Sequence, residues 1–253
     1  MAPQPDVSLQ DRTIPPRPPW PDPVVDLAFP IAGGTSLPVD HGRPLLGAVA
    51  AVVPGVHDQG GTHRPGDPPR VGVHPIRGRQ IGGRTVRLMG WSSLTIRCPS
   101  GRIGKFLPLA GRTLEVAGTA VSLAPPRVEP LAPAPALRSR LVTIKPTGGG
   151  PPSPAAFLTA ARRQLAELGI SAEVDATIPD RARERDGDRT TEPVRRTLRI
   201  RGREIVGYEL RLTGLTAAES VQVQTWGLGG RRAMGCGIFT PWTPDPSEAG
   251  AGR

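Results

Sequence analysis

Aromatic side chains make up only 4% of this 253-residue chain, and Tyr208 is its single tyrosine. The aromatic-rich strand motif on which RRM-type domains stack bases is missing, which weakens a reading as a base-stacking platform. Cysteine is as scarce. Cys98 and Cys236 lie far apart, with neither Cys-x-x-Cys nor Cys/His spacing, so no zinc site or disulfide framework is expected. Lys105 and Lys145 are the only lysines. A GC-rich genome accounts for the swap to arginine but not for the net charge. No apolar run approaches the ~20 residues that a membrane span needs. The first residues are proline-rich and acidic rather than signal-like, so a cytoplasmic protein with no membrane partner is expected.

What is present is positive charge: 32 basic against 22 acidic side chains, for +10, which favours a polyanionic partner. With 37% hydrophobic residues the length suffices for two small cores. Proline marks the organisation. Residues 1–22, with Ile14-Pro-Pro-Arg-Pro-Pro-Trp20, read as a disordered tail, and a second cluster from Pro125 to Pro135 separates two halves, 23–133 and 134–245, before a disordered tail at 246–253.

In the first half, Val24 to Phe29 reads as a strand, followed by a loop through Gly33 and Gly34. A helix starts near Asp40-His-Gly, with Leu45, Leu46, Val49 and Val53 at helical spacing. A loop covers Pro54 to Pro69. Extended segments follow at 71–76, 85–89 and 93–97, then a weaker helix over 101–109 and a strand pair over 113–128. In the second half, Arg140 to Lys145 is a strand. Ser153-Pro154 caps a helix carrying Phe157, Leu158, Ala161, Leu165 and Leu168, closed by Gly169. Residues 180–188 form a charged solvated loop. A hairpin over Arg195–Leu212 follows, then a helix opened by the capping box Thr216-Ala-Ala-Glu219 and a last short strand at Gly237–Phe239. Strand, helix, two strands, helix, strand, twice over, predicts an α+β protein of two tandem ferredoxin-like domains.

Two segments carry charge in a pattern. In the hairpin, Arg195, Arg199, Arg201 and Arg203 share one face of the first strand, while Val206, Tyr208, Leu210 and Leu212 form the core face of the second; one basic and one apolar side are expected. The stretch Trp226-Gly-Leu-Gly-Gly-Arg-Arg-Ala-Met-Gly-Cys-Gly-Ile-Phe239 holds five glycines and two arginines. Glycine lets main-chain N–H groups approach phosphate oxygens, and Arg231 and Arg232 add forked donors. No Gly-Lys-Ser/Thr ends the loop, so a polyphosphate cradle is not expected.

A ferredoxin-like pair ending in the loop 227–237 resembles the RAMP superfamily of CRISPR-associated proteins, and within it the repeat-RNA-processing endoribonucleases of the Cas-six group. Val24-Val-Asp-Leu-Ala-Phe-Pro30 with Leu37-Pro-Val-Asp-His-Gly42, Leu141-Val-Thr-Ile-Lys145, and Pro193-Val-Arg-Arg-Thr-Leu-Arg-Ile-Arg-Gly202 resemble its Myxococcus-type subfamily. The resemblance implies a cofactor-free, metal-independent ribonuclease that cuts CRISPR repeat RNA, stays on its guide-RNA product and joins a Cascade-like interference complex. Some relatives place a tyrosine beside the catalytic histidine. If Tyr208 is buried in its hairpin, any second catalytic group here must be basic.

Such cleavage needs a base, positive charge at the phosphate and in-line geometry. His41, at a helix N-terminus that favours a neutral imidazole, is the candidate base, with a plain capping role as the alternative. His74 is the rival, His57 and His63 read as inert, and a metal cluster of these with Asp58 or Asp67 has no recognised spacing. Lys145 is the candidate for the scissile phosphate, or else a solvated strand end. Arg195, Arg196, Arg199 and Arg201 of the hairpin, with Gly229, Gly230, Arg231, Arg232, Gly235 and Gly237 of the loop, are the expected RNA contacts. Two other functions fit the composition: a non-catalytic guide-RNA-binding subunit of the same superfamily, and a general nucleic-acid-binding protein.

Overall fold

The computed structural model describes residues 22–56, 69–145, 151–176, 193–200 and 202–243. His57, His63, Asp58, Asp67, Arg201, residues 1–21 of the first expected tail, the second expected tail and the charged loop 180–188 lie outside them.

The first half contains β1 (Val24–Gly33), β2 (Ser36–Pro38), α1 (Gly42–Val52), β3 (Gly72–Val73), β4 (Arg79–Gln80), β5 (Thr85–Arg87), β6 (Ser93–Pro99), α2 (Ile103–Phe106), β7 (Thr113–Val116), β8 (Thr119–Leu123) and β9 (Arg127–Pro130). The main sheet runs β3–β6–β1–β8–β7, with β9 also on β1. Alternation along β1 and β6 decides what each face carries. Leu27 and Phe29, with Leu94, Ile96 and Cys98, are buried in one core with Leu45, Leu46 and Val49 of α1. Asp26 stands opposite Arg97 on the other face, which meets the second half. The helix expected over 101–109 is a single α-turn between 3-10 turns at Ser100–Arg102 and Leu107–Leu109. Gly101, Gly104 and Pro108 make a longer helix costly.

The second half contains β10 (Leu137–Val142), α3 (Pro154–Glu167), β11 (Glu173–Asp175), β12 (Arg195–Ile200), β13 (Arg203–Thr213), α4 (Ala217–Trp226) and β14 (Thr240–Pro241). Its sheet runs β11–β13–β10–β14, with β12 also on β13. Ser153 Oγ accepts the Ala156 N–H to open α3, and the Thr216–Glu219 capping box opens α4. β10 begins three residues earlier than the expected strand, and the last strand falls just after Phe239 instead of ending there. The βαββαβ order, met twice, makes the protein α+β with two ferredoxin-like units in tandem.

The hairpin departs from its expected two-sidedness. Ile200 stands opposite Arg203, so Arg195 faces Tyr208, Thr197 faces Val206 and Arg199 faces Glu204, each pair on one side of the sheet. Arg195 and Arg199 therefore extend the side whose deeper part is the Tyr208–Leu210–Leu212 core, while Arg196 shares the opposite side with Leu198. Leu198 points the other way, toward the start of α1: a Cβ added to Gly42 would lie 3.7 Å from Leu198 Cδ1. The strand's apolar side thus covers the first half rather than its own.

Candidate active site

His41 is the N-cap residue of α1, yet its side chain makes no cap hydrogen bond. Its Nδ1 lies 2.6 Å from the Pro38 carbonyl oxygen, and its Nε2 accepts the Ile76 main-chain N–H at 2.9 Å. The ring therefore carries its proton on Nδ1, in the neutral tautomer. Burial pushes its pKa below the ordinary value and Arg140 pushes the same way, against the Pro38 hydrogen bond and Asp40. The side chain is almost fully enclosed, at 1% exposure.

Around it lies a cluster of arginines from both halves. Arg84 donates to Asp40 at 2.7 Å, and Arg138 and Arg196 both pair with Glu209, which is fully buried. Arg140 sits within electrostatic reach of His41, Asp40, Arg84, Arg196 and Glu209, and among the described residues no carboxylate pairs with it. The two carboxylates are already engaged, so the group carries excess positive charge, and Arg140 is its arginine without a carboxylate partner. Arg231 lies near by: its Nη1 is 3.5 Å from Thr143 Oγ1, and both it and Arg140 act on the buried Cys236 thiol.

The glycine loop is closed on itself and on the first half. All five glycine N–H groups donate within the protein: Gly227 to the Val223 carbonyl, Gly229 to Gln164 Oε1, and Gly230, Gly235 and Gly237 to the carbonyls of Thr143, Arg232 and Leu141. The close approaches that glycine permits here are to protein. A Cβ on Gly237 would lie 1.9 Å from the Leu228 carbonyl oxygen, on Gly229 2.4 Å from that of Thr143, and on Gly235 2.6 Å from the Pro75 ring. The expectation that these amides point at phosphate is corrected by this hydrogen bonding. The loop also rests on α1, because a Cβ on Gly42 would meet the Met234 carbonyl oxygen at 2.5 Å.

The two loop arginines part company. Arg231 is exposed, whereas Arg232 is buried at 7% exposure and donates to the Gln224 carbonyl at 2.8 Å, its pKa lowered by burial to about 9. Arg232 is thus a packing cation, not a surface grip on RNA. Its companion is Arg97, at 1% exposure, which holds both oxygens of Asp26 at 2.7 Å and reaches the Gln224 and Phe239 carbonyls across the seam. Burial alone would raise the Asp26 pKa, but Arg97 and His74 overcome it and hold the carboxyl well below the usual range. His74 Nε2 lies 3.5 Å from Asp26, and burial lowers the histidine's pKa to about 4. These residues clamp the carbonyl-bearing end of α4 to the first sheet.

Of the other expected residues, half-buried Arg196 pairs with Glu209, Arg195 makes a surface pair with Glu204, and Arg199 is exposed. Lys145 is exposed and is not among the groups acting on His41. Tyr208 is buried, its hydroxyl donating to the Pro152 carbonyl at 2.9 Å. Among the described residues no group of three His, Cys, Asp or Glu side chains is placed to hold a metal. Sequence reasoning did not single out Arg84, Arg97, Arg138 or Arg140 as site residues. Each is one arginine in a chain rich in them, and only the strand pairing brings them to the seam.

Two ferredoxin-like units meeting at an arginine-rich seam define a class of tandem α+β proteins built around the junction of their sheets. Within that class the chain belongs to the Cas6 family: a family model described as Cas6 Crispr matches residues 25–244. The CRISPR-associated endonuclease Cas6 of Myxococcus xanthus (strain DK1622) is 36% identical over 217 residues, covering 86% of this chain and 81% of its own. A solved structure described as CRISPR associated protein Cas6 superposes with a TM-score of 0.54 at 12% identity, covering 87% of this chain and 99% of its own. A Cas6-related protein from Pyrococcus furiosus does so with a TM-score of 0.53 at 11% identity, over 88% and 100%. At those identities the two structures share the fold.

Proposed function

We propose that the protein is an endoribonuclease that binds the repeat RNA of a CRISPR precursor transcript and cuts it into guide RNAs without a metal. The observation that carries this is the 36% identity, over most of both chains, to a relative named as a CRISPR-associated endonuclease. In the reaction, the ribose 2′-oxygen attacks the adjacent phosphorus and its proton passes to a base. The bond to the 5′-oxygen breaks, and that oxygen takes up a proton as it leaves. The products are a 2′,3′-cyclic phosphate and a 5′-hydroxyl.

His41 is the base in this scheme, neutral because it is buried. Its Nε2 is held by Ile76, so bound RNA must draw the segment after β3 away before the nitrogen can take a proton. Arg140, the unpaired arginine beside it, is the first group for the phosphate, with Arg231 at the rim and exposed Lys145 as a further cation for the same phosphate. The loop glycines contribute shape, while Arg195 and Arg199 hold flanking phosphates. The product stays bound and enters an interference complex with other subunits.

The Ile76–His41 hydrogen bond also favours a second reading, in which His41 is a strut and the chain binds guide RNA without cutting it. Incubation with repeat RNA in EDTA separates the two. Cleavage to a cyclic phosphate, stopped by a 2′-deoxy substitution just 5′ of the scissile phosphate, supports the nuclease. Tight binding with no cutting supports the strut.

A further inference from the structure

The small sheet β2–β5–β4 stands beside the seam and takes no part in the cleavage scheme. Its register places Ser36, Arg87 and Arg79 directly across from one another. Leu37, on the opposite face, is fully buried, so this row looks outward. Arg79 and Arg87 are both exposed, and among the described residues neither has a carboxylate partner. Like charges directly opposite in a two-strand pair repel. A Cβ on Gly78 would lie 2.2 Å from the Arg87 carbonyl oxygen, so the pair is held close by a position that only glycine fills.

Trp91 follows in the turn to β6 and is 62% exposed, which is large for a tryptophan. The turn is pinned rather than loose: Ser92 Oγ accepts the Met89 N–H at 2.9 Å and donates to the Arg77 carbonyl at 2.7 Å, at the base of the same hairpin. At the other end, the Val39 N–H donates to the Arg84 carbonyl at 2.7 Å, and Arg84 holds Asp40 next to His41. Arg87 stands three residue steps of extended chain, about 10 Å, beyond Arg84. The basic face therefore begins beside His41 and runs away from it toward Trp91.

We propose that this face binds an unpaired stretch of the RNA, with Arg79 and Arg87 on its phosphates and Trp91 stacked on a base. Paired cations relieved by a polyanion and one presented indole match single-stranded RNA. The chain's excess of positive charge favours the same occupant over an acidic protein. The inference rests on the RNA-binding part of the proposed function.

The test uses two probes, a repeat stem–loop with a short unpaired flank and the same stem–loop without it, with binding read separately from single-turnover cleavage. Wild type should bind the flanked probe more tightly. Arg79→Ala with Arg87→Ala should remove about tenfold of that preference and lower the salt slope by about 1.4, two contacts at about 0.7 each. Trp91→Ala should remove a similar share, and Trp91→Phe should restore most of it. The bare stem–loop should be bound and cut as by wild type, and melting temperatures should not move. An unchanged preference for the flank, or equal losses on both probes, overturns the proposal, and the face then fits a protein partner. If wild type binds the flank through these residues but cuts neither probe, the RNA-processing reading fails and this one stands.

Discussion

The Ile76 main-chain N–H donates to His41 Nε2 at 2.9 Å, joining residues 35 apart in sequence and closing the imidazole between two main-chain partners. Removing the ring leaves a buried donor at Ile76 and an acceptor at Pro38 without partners. His41→Ala should therefore destabilise the protein by about 2–4 kcal/mol as well as stop cleavage. A melting temperature equal to wild type, with cleavage lost, would mean that the ring acts in chemistry alone.

Cleavage should depend on pH with the sign of a neutral base. The His41 pKa is lowered, so the active form persists below pH 6.5, and the single-turnover rate should fall only on further acidification. A rate that climbs steadily with pH through neutrality and beyond, with no plateau, would contradict a histidine base of lowered pKa.

Arg140→Ala should slow single-turnover cleavage by about a hundredfold while weakening RNA binding much less, because the charge matters most when the phosphate gains charge. Arg140→Lys should recover part of the rate. Equal losses in affinity and rate would make Arg140 a binding cation only.

Acid should loosen the seam through His74. Its folded pKa, about 4, lies below the unfolded value of about 6.5, so the unfolded chain binds the proton first. Stability is then full above 6.5 and is lost, by up to about 3 kcal/mol, as pH falls toward 4. His74→Phe should flatten that part of the stability profile. Denaturation at a series of pH values reads both.

Glycine positions should divide by what surrounds them. Gly237→Val, at φ +65° and with the Leu228 carbonyl 1.9 Å from its Cβ, should prevent folding. Gly47→Ala, inside α1 with nothing within 4 Å, should stabilise by up to about 1 kcal/mol. Equal melting temperatures for the two variants would refute this account of the loop.

Local rules in the chain were enough for much of the architecture. Ser153 and Thr216 open their helices where cap chemistry places them, and Leu45, Leu46 and Val49 face the core at helical spacing. The doubled βαββαβ order was legible for the same reason: each element is written in a few neighbouring residues. The pairing of Arg196, the burial of Arg232 and the closure of the glycine loop are not legible in the chain, because their partners, Glu209, Gln224 and the carbonyls of Leu141 and Thr143, come from other elements. Strand periodicity says which residues share a side, but not what covers that side. Only the packing of the second half onto the back of the first sheet decided that Arg232 is buried while Arg231 and Arg140 keep solvent. Burial of charge is a property of the assembled seam, where desolvation and pairing balance over distances no local pattern encodes.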